Sequence, residues 1–190
     1  MTRAGRPTQT SPQAWAQAAL DEIEQRGVRG LSVQAVARRL GVSKGGAYHH
    51  YADRQALLIA ALDLWEQEHV EDLARRFAAI SDPRARLEQL LHHAVVELQP
   101  TILAQLIAAA DNSDVAATLE RAAAGRLSLL EITFRELGLP RGRARDRASL
   151  TYAAYLGLAQ LRRQAPGRLD TSRANRSYLD DVLAVLITPR

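Results

Sequence analysis

The sequence predicts an all-α protein, and three observations support that prediction. Alanine and leucine, which are strong helix formers, recur along the whole length of 190 residues. Apolar residues repeat at helical spacing, and no alternating apolar and polar pattern persists long enough to indicate a strand. Glycine and proline turns separate the helical patterns. We therefore expect about nine helices, arranged as an N-terminal helix-turn-helix three-helix domain and a larger C-terminal helical domain.

The first helix is expected to begin at Pro12, with Ser11 as its N-cap, and to end at Gly27. Proline is well placed in a first turn because its missing N–H has no partner there in any case. Apolar residues recur at every fourth position of this helix, at Trp15, Ala19 and Ile23. This periodicity is typical of a helix with one apolar face.

The next two predicted helices are short and lie on either side of a glycine turn. Ser32 is a candidate cap for the second helix. Its apolar stripe falls at i, i+3, i+4 and i+7, which are Val33, Val36, Ala37 and Leu40. Gly41 and Val42 interrupt the pattern, and Ser43 is placed to cap a third helix that ends near Tyr51. The sequence therefore predicts two short helices joined by a tight turn.

The remaining helices follow from the same start and stop signals. Asp53 is a candidate cap for a long fourth helix that reaches about Ile80. Five more helices are expected at about residues 83–98, 100–110, 113–137, 143–163 and 171–187. Only the first ten residues are expected to be disordered.

The composition excludes several classes of protein. There is no cysteine, which excludes disulfide frameworks, thiolate metal sites and cysteine nucleophiles and suits a reducing compartment. No apolar run is long enough for a transmembrane helix, and the first nine residues lack the apolar segment of a signal peptide. We therefore expect a cytoplasmic protein.

The basic residues are distributed unevenly. The formal net charge is +4, and residues 1–55 carry eight basic and four acidic side chains, which account for the whole excess. Charge asymmetry of this kind favours a polyanionic partner such as nucleic acid. Of the 25 basic residues 24 are arginine, and the one lysine is Lys44. A GC-rich genome also produces an arginine-rich chain, but it does not explain the position of the lysine.

Two short helices joined by a glycine turn are typical of a helix-turn-helix, whose second helix enters the major groove of DNA. The segment from Gly30 to Leu57, GLSVQAVARRLGVSKGGAYHHYADRQAL, supplies the apolar stripe, the turn glycine and small or polar residues on the third helix. This segment closely resembles the DNA-binding region of the TetR family of bacterial repressors. The resemblance is strong over about residues 12–60 and architectural beyond residue 65.

The resemblance implies a set of DNA contacts. Ser32, Tyr48 and Arg54 match positions that contact phosphates, while His49 and His50 match positions that approach the DNA backbone. Gln34 matches a groove-facing position that can touch a base edge, where a glutamine can pair with adenine. Lys44 matches a contact to a base or a phosphate at the start of the recognition helix. The full set of predicted DNA-binding residues is Ser32, Gln34, Lys44, Gly45, Gly46, Tyr48, His49, His50 and Arg54.

The chain departs from the family pattern in the third helix. Gly46 stands where the family usually has a side chain, and Ala47 where a larger apolar residue packs. Each of two adjacent glycines lowers the stability of a helix by about 1 kcal/mol relative to alanine. We therefore expect the recognition helix to become fully ordered only when it binds DNA. Arg3 and Arg6 form either a minor-groove arm or a solvated tail; the sequence supports both.

The rest of the chain is expected to bind a ligand and to dimerise, as the resemblance implies. The ninth helix and the small residues of the eighth suggest a dimer's helix bundle, with the interface at Tyr155, Leu156, Gly157, Ala159, Leu179, Val182, Leu183 and Leu186. A mostly apolar effector is expected to contact Trp65, His69, His92, Leu103, Leu106, Phe134 and Tyr152. For each of these side chains, ordinary packing in a helical core is the alternative.

An enzyme is the distant alternative. Glu66 and His69 form half of a di-iron bundle signature, but the second Glu-x-x-His pair is missing from the sequence. His92 and His93 are adjacent on a helix and point about 100° apart, so they do not readily share a metal. No catalytic residue, metal or cofactor is therefore predicted.

The sequence thus predicts a cytoplasmic homodimeric regulator, most simply a repressor, that binds a palindromic DNA operator and is released by a small effector. Its predicted domains are a flexible basic arm at 1–10, a helix-turn-helix domain at 11–56, and a ligand-binding and dimerisation domain at 57–190. An activator and a ligand-independent DNA-binding protein remain alternatives.

Overall fold

The computed structural model describes residues 11–42, 51, 53–94, 101–165 and 174–187. These residues form eight helices and no strand, which confirms the predicted all-α class. The helices are α1 (Pro12–Gly30), α2 (Val33–Arg39), α3 (Arg54–Glu66, continued through Gln67–Glu71 to Asp72–Ala78), α4 (Pro83–His92), α5 (Thr101–Ile107), α6 (Ser113–Glu136), α7 (Arg141–Gln164) and α8 (Ala174–Ile187). The predicted recognition helix lies outside the described residues.

Side-chain caps begin the N-terminal helices as the sequence predicts. The Ser11 hydroxyl accepts a hydrogen bond from the Ala14 N–H at 3.2 Å. The Asp53 carboxylate accepts one from Ala56 at 2.8 Å at the start of α3. Each cap satisfies an N–H that the first turn of a helix leaves without a backbone partner.

Two helices differ from their predicted form. Helix α1 runs to Gly30, three residues beyond the predicted end, but Gly27 has φ 72° and ψ 168°, so the helical path is broken there as the glycine suggested. Helix α3 contains a π-helical turn at Gln67–Glu71, which the sequence pattern did not indicate. A π-turn adds one residue to a helical turn and shifts the face that the following side chains present.

The chain forms two compact units. The first unit holds the described residues up to Glu68 together with 101–119, and the second holds those from His69 to residue 94 and from Glu120 onward. The unit boundaries fall inside α3 and α6, so both helices contribute to both units. The predicted boundary after residue 56 separates a DNA-binding from a ligand-binding region rather than two compact units, and it remains a prediction.

The first unit is built around α1. This helix packs against α2, α3 and α5, and its Trp15 and Ile23 are fully buried. Leu57 and Leu58 of α3 are equally inaccessible. The apolar periodicity of α1 therefore does form a core face.

The second unit has its own apolar core. Its buried members come from α4, α6, α7 and α8: Leu87, Leu91, Leu130, Phe134, Ala144, Ala148 and Leu186. At the edge of this core, Arg86 is 5% exposed and donates a 3.0 Å hydrogen bond to the Ile80 carbonyl. Its guanidinium also pairs with the Glu136 carboxylate, so the buried charge is compensated.

None of the helices in the described part of the chain is long and apolar enough to cross a membrane.

Candidate functional site

Helix α2 and the turn that follows it have the geometry that a helix-turn-helix needs. The Ser32 hydroxyl accepts from the Ala35 N–H at 3.1 Å, and Val36 is fully buried against the rest of the first unit. Gly41 has φ 68°, a left-handed conformation that side chains with a Cβ rarely adopt. The following N–H, that of Val42, donates back to the Ala37 carbonyl at 3.0 Å. A left-handed glycine thus ends α2 and redirects the chain toward residues 43–50.

An ion-pair cluster ties α2 to α1. Glu22 is only 4% exposed, and its carboxylate accepts a 3.1 Å hydrogen bond from Nε of Arg39. Arg26, one turn further along α1, places its Nε 3.6 Å from the same carboxylate. Removing one member of a buried ion pair leaves an uncompensated charge. The cluster therefore fixes the angle at which α2 leaves α1.

Arg54 has a structural role in the first unit. Its Nε donates to the Leu31 carbonyl at 2.9 Å, and a terminal nitrogen donates to the Val28 carbonyl at 2.7 Å. The guanidinium therefore fastens the start of α3 to the connection between α1 and α2. Its predicted phosphate contact remains a prediction, and the further N–H groups of a guanidinium allow both roles.

Tyr51 closes the apolar core beside α1. Its ring lies 6.3 Å from that of Trp15, and its hydroxyl donates to the Pro12 carbonyl at 3.0 Å. Partial burial raises the pKa of this phenol above its ordinary value. Tyr51 is half-buried.

The described DNA-contact candidates share the first unit. Ser32 is half-buried at the start of α2, while Gln34 is exposed two positions later and is therefore free to reach a partner. Six further predicted contacts lie outside the described residues: Lys44, Gly45, Gly46, Tyr48, His49 and His50.

The second unit contains a cavity of about 500 Å³, a size typical of small-molecule sites. Its walls come from α3, α4, α6, α7 and α8 and are largely aliphatic. Among the aliphatic lining residues are Leu73, Leu90, Leu129, Leu130, Leu158 and Val182.

Two of the predicted ligand contacts, His69 and Tyr152, lie in the cavity wall. Phe134 is fully buried in the neighbouring core of the same unit. His92 is exposed, while its neighbour His93 lines the cavity and packs edge-on against Phe77 at 5.7 Å. The three other candidates, Trp65, Leu103 and Leu106, are buried in the first unit.

Two polar side chains of the cavity wall were not predicted as ligand contacts: Arg126 was not singled out, and Tyr155 was predicted at the dimer interface. The Arg126 guanidinium carbon lies 5.8 Å from the centre of the Tyr155 ring, and a terminal nitrogen donates to the His69 carbonyl at 3.3 Å. Burial raises the pKa of the Tyr155 phenol, Arg126 partly opposes this rise and Tyr152 adds to it. The sequence offers one signal for Arg126: it is an arginine directly after Gly125 in a run of small and aliphatic residues, which could have indicated a charged group in an apolar wall.

The predicted dimer-interface residues divide between buried and exposed positions. Leu186 and Ala159 are buried within the single chain, and Tyr155 and Val182 line the cavity. Leu156 and Leu183 are half-buried, Gly157 is exposed, and nothing is described of the Leu179 side chain.

An exposed apolar stripe runs along α7. Leu150 is 51% and Leu161 42% exposed, and Ala153 and Gly157 lie between them on the same helical face. A Cβ placed on Gly157 would meet nothing within 4 Å. The stripe therefore allows close approach of another helix.

In the described part of the chain, no three histidine or acidic side chains are grouped closely enough to hold a metal ion.

The first unit contains a helix that ends at a left-handed glycine, as in a helix-turn-helix, and the second unit contains an apolar cavity. Together these features are typical of a DNA-binding transcriptional regulator. A family model described as bacterial regulatory proteins of the tetR family matches residues 17–61. The HTH-type transcriptional regulator BetI of Burkholderia mallei (strain NCTC 10229) is 32% identical over 188 residues, covering 88% of this chain and 90% of that protein. The chain belongs to the TetR family, as its helix-turn-helix segment predicted.

Solved structures share the fold. A putative transcriptional regulator from Saccharomonospora viridis in complex with choline has a TM-score of 0.75 at 18% identity, with 90% of this chain and 93% of that chain covered. The multidrug binding protein EbrR complexed with malachite green has a TM-score of 0.67 at 22% identity, with 94% and 98% covered. At these identities the likeness concerns the fold.

Proposed function

We propose that this protein is a homodimeric repressor that binds a palindromic operator through its first unit and releases it when a small, mostly apolar effector occupies the cavity of its second unit. The observation that carries this proposal is the cavity itself, because a purely DNA-binding protein has no need of one. The two solved structures that hold choline and malachite green support the fold's capacity for small organic ligands.

Operator binding is assigned to α2 and the segment after Gly41. Gln34 is exposed, and Lys44 is the lone lysine of the chain. Phosphate contacts supply most of the affinity of such a surface, so binding is expected to fall steeply with salt concentration. A base contact from Gln34 or Lys44 adds sequence specificity.

Dimerisation is assigned to α7 and α8. Their exposed apolar side chains, Leu150 and Leu161 on α7 and Val185 on α8, are 42–61% exposed in the single chain. A second copy that covered them would remove apolar surface from water and place two recognition helices on successive half-sites. An isologous pair of this kind explains a palindromic operator.

Release follows from linkage between the two binding events. A ligand shifts the protein toward whichever conformation it binds more tightly. Helix α3 runs from the first unit into the cavity wall, where it contributes His69 and Val70. An effector that favours a different course of α3 therefore disfavours the DNA-bound conformation.

The test is a fluorescence-anisotropy titration of the full chain on the DNA upstream of its own gene. We expect saturable binding that is stronger than to scrambled DNA and that weakens as salt rises. Equal affinity for scrambled DNA would contradict operator recognition. A reporter gene behind the same DNA separates the two regulatory outcomes, since expression falls with a repressor and rises with an activator.

A further inference from the structure

The polar groups of the cavity identify the chemical class of the effector. We propose that the cavity of the second unit binds an amphipathic monocarboxylate, whose carboxylate is held by Arg126 and Tyr155 and whose apolar body lies along the leucines of α3, α4 and α6. This assignment rests on the proposed function only in treating the cavity as a ligand site.

Arg126 supplies the positive charge. It projects from α6 into the cavity wall, and one of its terminal nitrogens is fully shielded from solvent. A guanidinium presents a planar fork of N–H donors that matches the two oxygens of a carboxylate. Its attraction for an anion is stronger where apolar walls exclude water.

Tyr155 supplies a second donor. Its hydroxyl oxygen is buried and forms no hydrogen bond with any residue that the structure describes. A buried hydroxyl without a partner is costly, and the cost disappears when a ligand oxygen accepts its proton. Because the Arg126 guanidinium lies over the Tyr155 ring, both groups approach the same part of the wall.

The charges of the cavity favour an anion over a cation. Asp181, the one carboxylate among the lining residues the structure describes, is exposed and therefore sits in high-dielectric surroundings. The face of Tyr155 that would attract an ammonium group already carries the Arg126 guanidinium. A cationic amphiphile would meet repulsion at the position where a carboxylate meets two donors.

Isothermal titration calorimetry of the full-length protein with decanoate, decanol and decyltrimethylammonium tests the proposal. The three probes share one alkyl chain and differ in head group. We expect decanoate to bind about 10- to 100-fold more tightly than decanol, the range for a hydrogen bond to a charged group. Equal affinities, tighter binding of the ammonium probe, or no binding of any carboxylate would overturn the proposal.

Variants assign the effect to the two side chains. Arg126→Gln should reduce decanoate affinity to that of decanol while leaving decanol unchanged, and Arg126→Lys should restore part of the difference. Tyr155→Phe, which keeps the ring, should reduce decanoate affinity several-fold. Arg135→Gln changes the same charge at an exposed position of α6 and is the matched control. Loss of binding for decanol and decanoate alike in Arg126→Gln would contradict the assigned role.

Decanoate and 4-phenylbutyrate both carry a carboxylate but differ in their apolar part. Comparing their affinities shows whether the cavity prefers a straight-chain or an aryl carboxylate. These binding measurements involve no DNA, so they stand apart from the proposed function. Tight carboxylate binding without any effect on operator affinity would refute ligand-induced release and leave the ligand class intact.

Discussion

The two units of this protein treat their polar groups in different ways. In the first unit, charged groups are committed to internal contacts: Arg54 binds two backbone carbonyls, and Glu22 is paired with Arg39. The second unit also contains one such contact, in which Arg86 binds the Ile80 carbonyl and Glu136, but its Arg126 and Tyr155 line a cavity. The first pattern favours a rigid scaffold, while the second fits the ligand site that we propose. The first unit is thus expected to keep one conformation, whereas the second is expected to change conformation when a ligand binds.

The first prediction, with the largest change, tests whether DNA binding by the first unit depends on dimerisation through the second unit. Leu161→Glu places a charge on the exposed apolar stripe of α7, and burying that charge at a dimer interface is unfavourable. We expect the dimer dissociation constant to rise by about 100-fold or more, as measured by analytical ultracentrifugation, with loss of operator binding. Ser128→Glu, at an exposed position of α6, should leave the dimer intact. An unchanged dimer in Leu161→Glu would remove α7 from the interface.

The second prediction tests the rigidity of the first unit. Arg54→Ala removes the side-chain donor of the Leu31 carbonyl and one of the two donors of the Val28 carbonyl, which also accepts from the Leu31 N–H. It should lower the free energy of unfolding by about 1 to 3 kcal/mol. Urea denaturation without DNA measures this effect apart from any phosphate contact. Arg38→Ala, at an exposed position of α2, should change stability by less than about 0.5 kcal/mol. Equal losses in the two variants would argue against a structural role for Arg54.

The third prediction concerns sequence reading by the first unit. Gln34→Ala should weaken operator binding by about 1 to 3 kcal/mol if its amide pairs with a base, and it should leave binding to scrambled DNA unchanged. Anisotropy titrations on both DNAs at one salt concentration give the comparison. A uniform loss on both would reassign Gln34 to the phosphate backbone.

The smallest expected effect arises from Tyr155 in the second unit. Burial raises the pKa of its phenol above the ordinary tyrosine value of about 10, so the folded state holds the proton more tightly than the unfolded chain. The resulting stability is present below pH 10 and is lost as pH rises through the folded-state pKa. Urea denaturation between pH 9 and about 11 should therefore show a shallower decline in Tyr155→Phe than in the wild type. Parallel curves would mean that the phenol is not desolvated.

The helix starts and glycine turns of the first unit could be predicted from sequence because their signals are local. Ser11, Ser32 and Asp53 cap helices through N–H groups three residues away. Gly27 and Gly41 mark turns because they adopt positive φ. Such features depend on neighbouring residues, which a sequence displays directly.

The cavity could not be predicted in the same way because it depends on distant segments. His69, Arg126 and Tyr155 belong to three helices and meet only through packing. One helical step of about 100° separates His92, which is exposed, from His93, which lines the cavity. The π-turn in α3 changes the register that a simple periodicity assumes.

The net charge of the first unit also depends on distant segments of the chain. The +4 excess of residues 1–55 is a property of that segment, whereas the compact unit also contains residues 56–68 and 101–119. Those stretches contribute no basic residue and five carboxylates, at Asp63, Glu66, Glu68, Asp111 and Asp114. Asp111 is paired with Arg29 at 2.9 Å. The basic excess is thus local to residues 1–55 rather than spread over the unit.

We expect occupation of the cavity and binding of operator DNA to oppose each other. The most direct test is the affinity of decanoate for the full-length protein, measured with and without saturating operator DNA. Linkage requires the operator to weaken decanoate binding by the same factor by which decanoate weakens operator binding. We predict equal factors greater than about 5. Identical decanoate affinities with and without operator DNA would show that the two sites are not coupled.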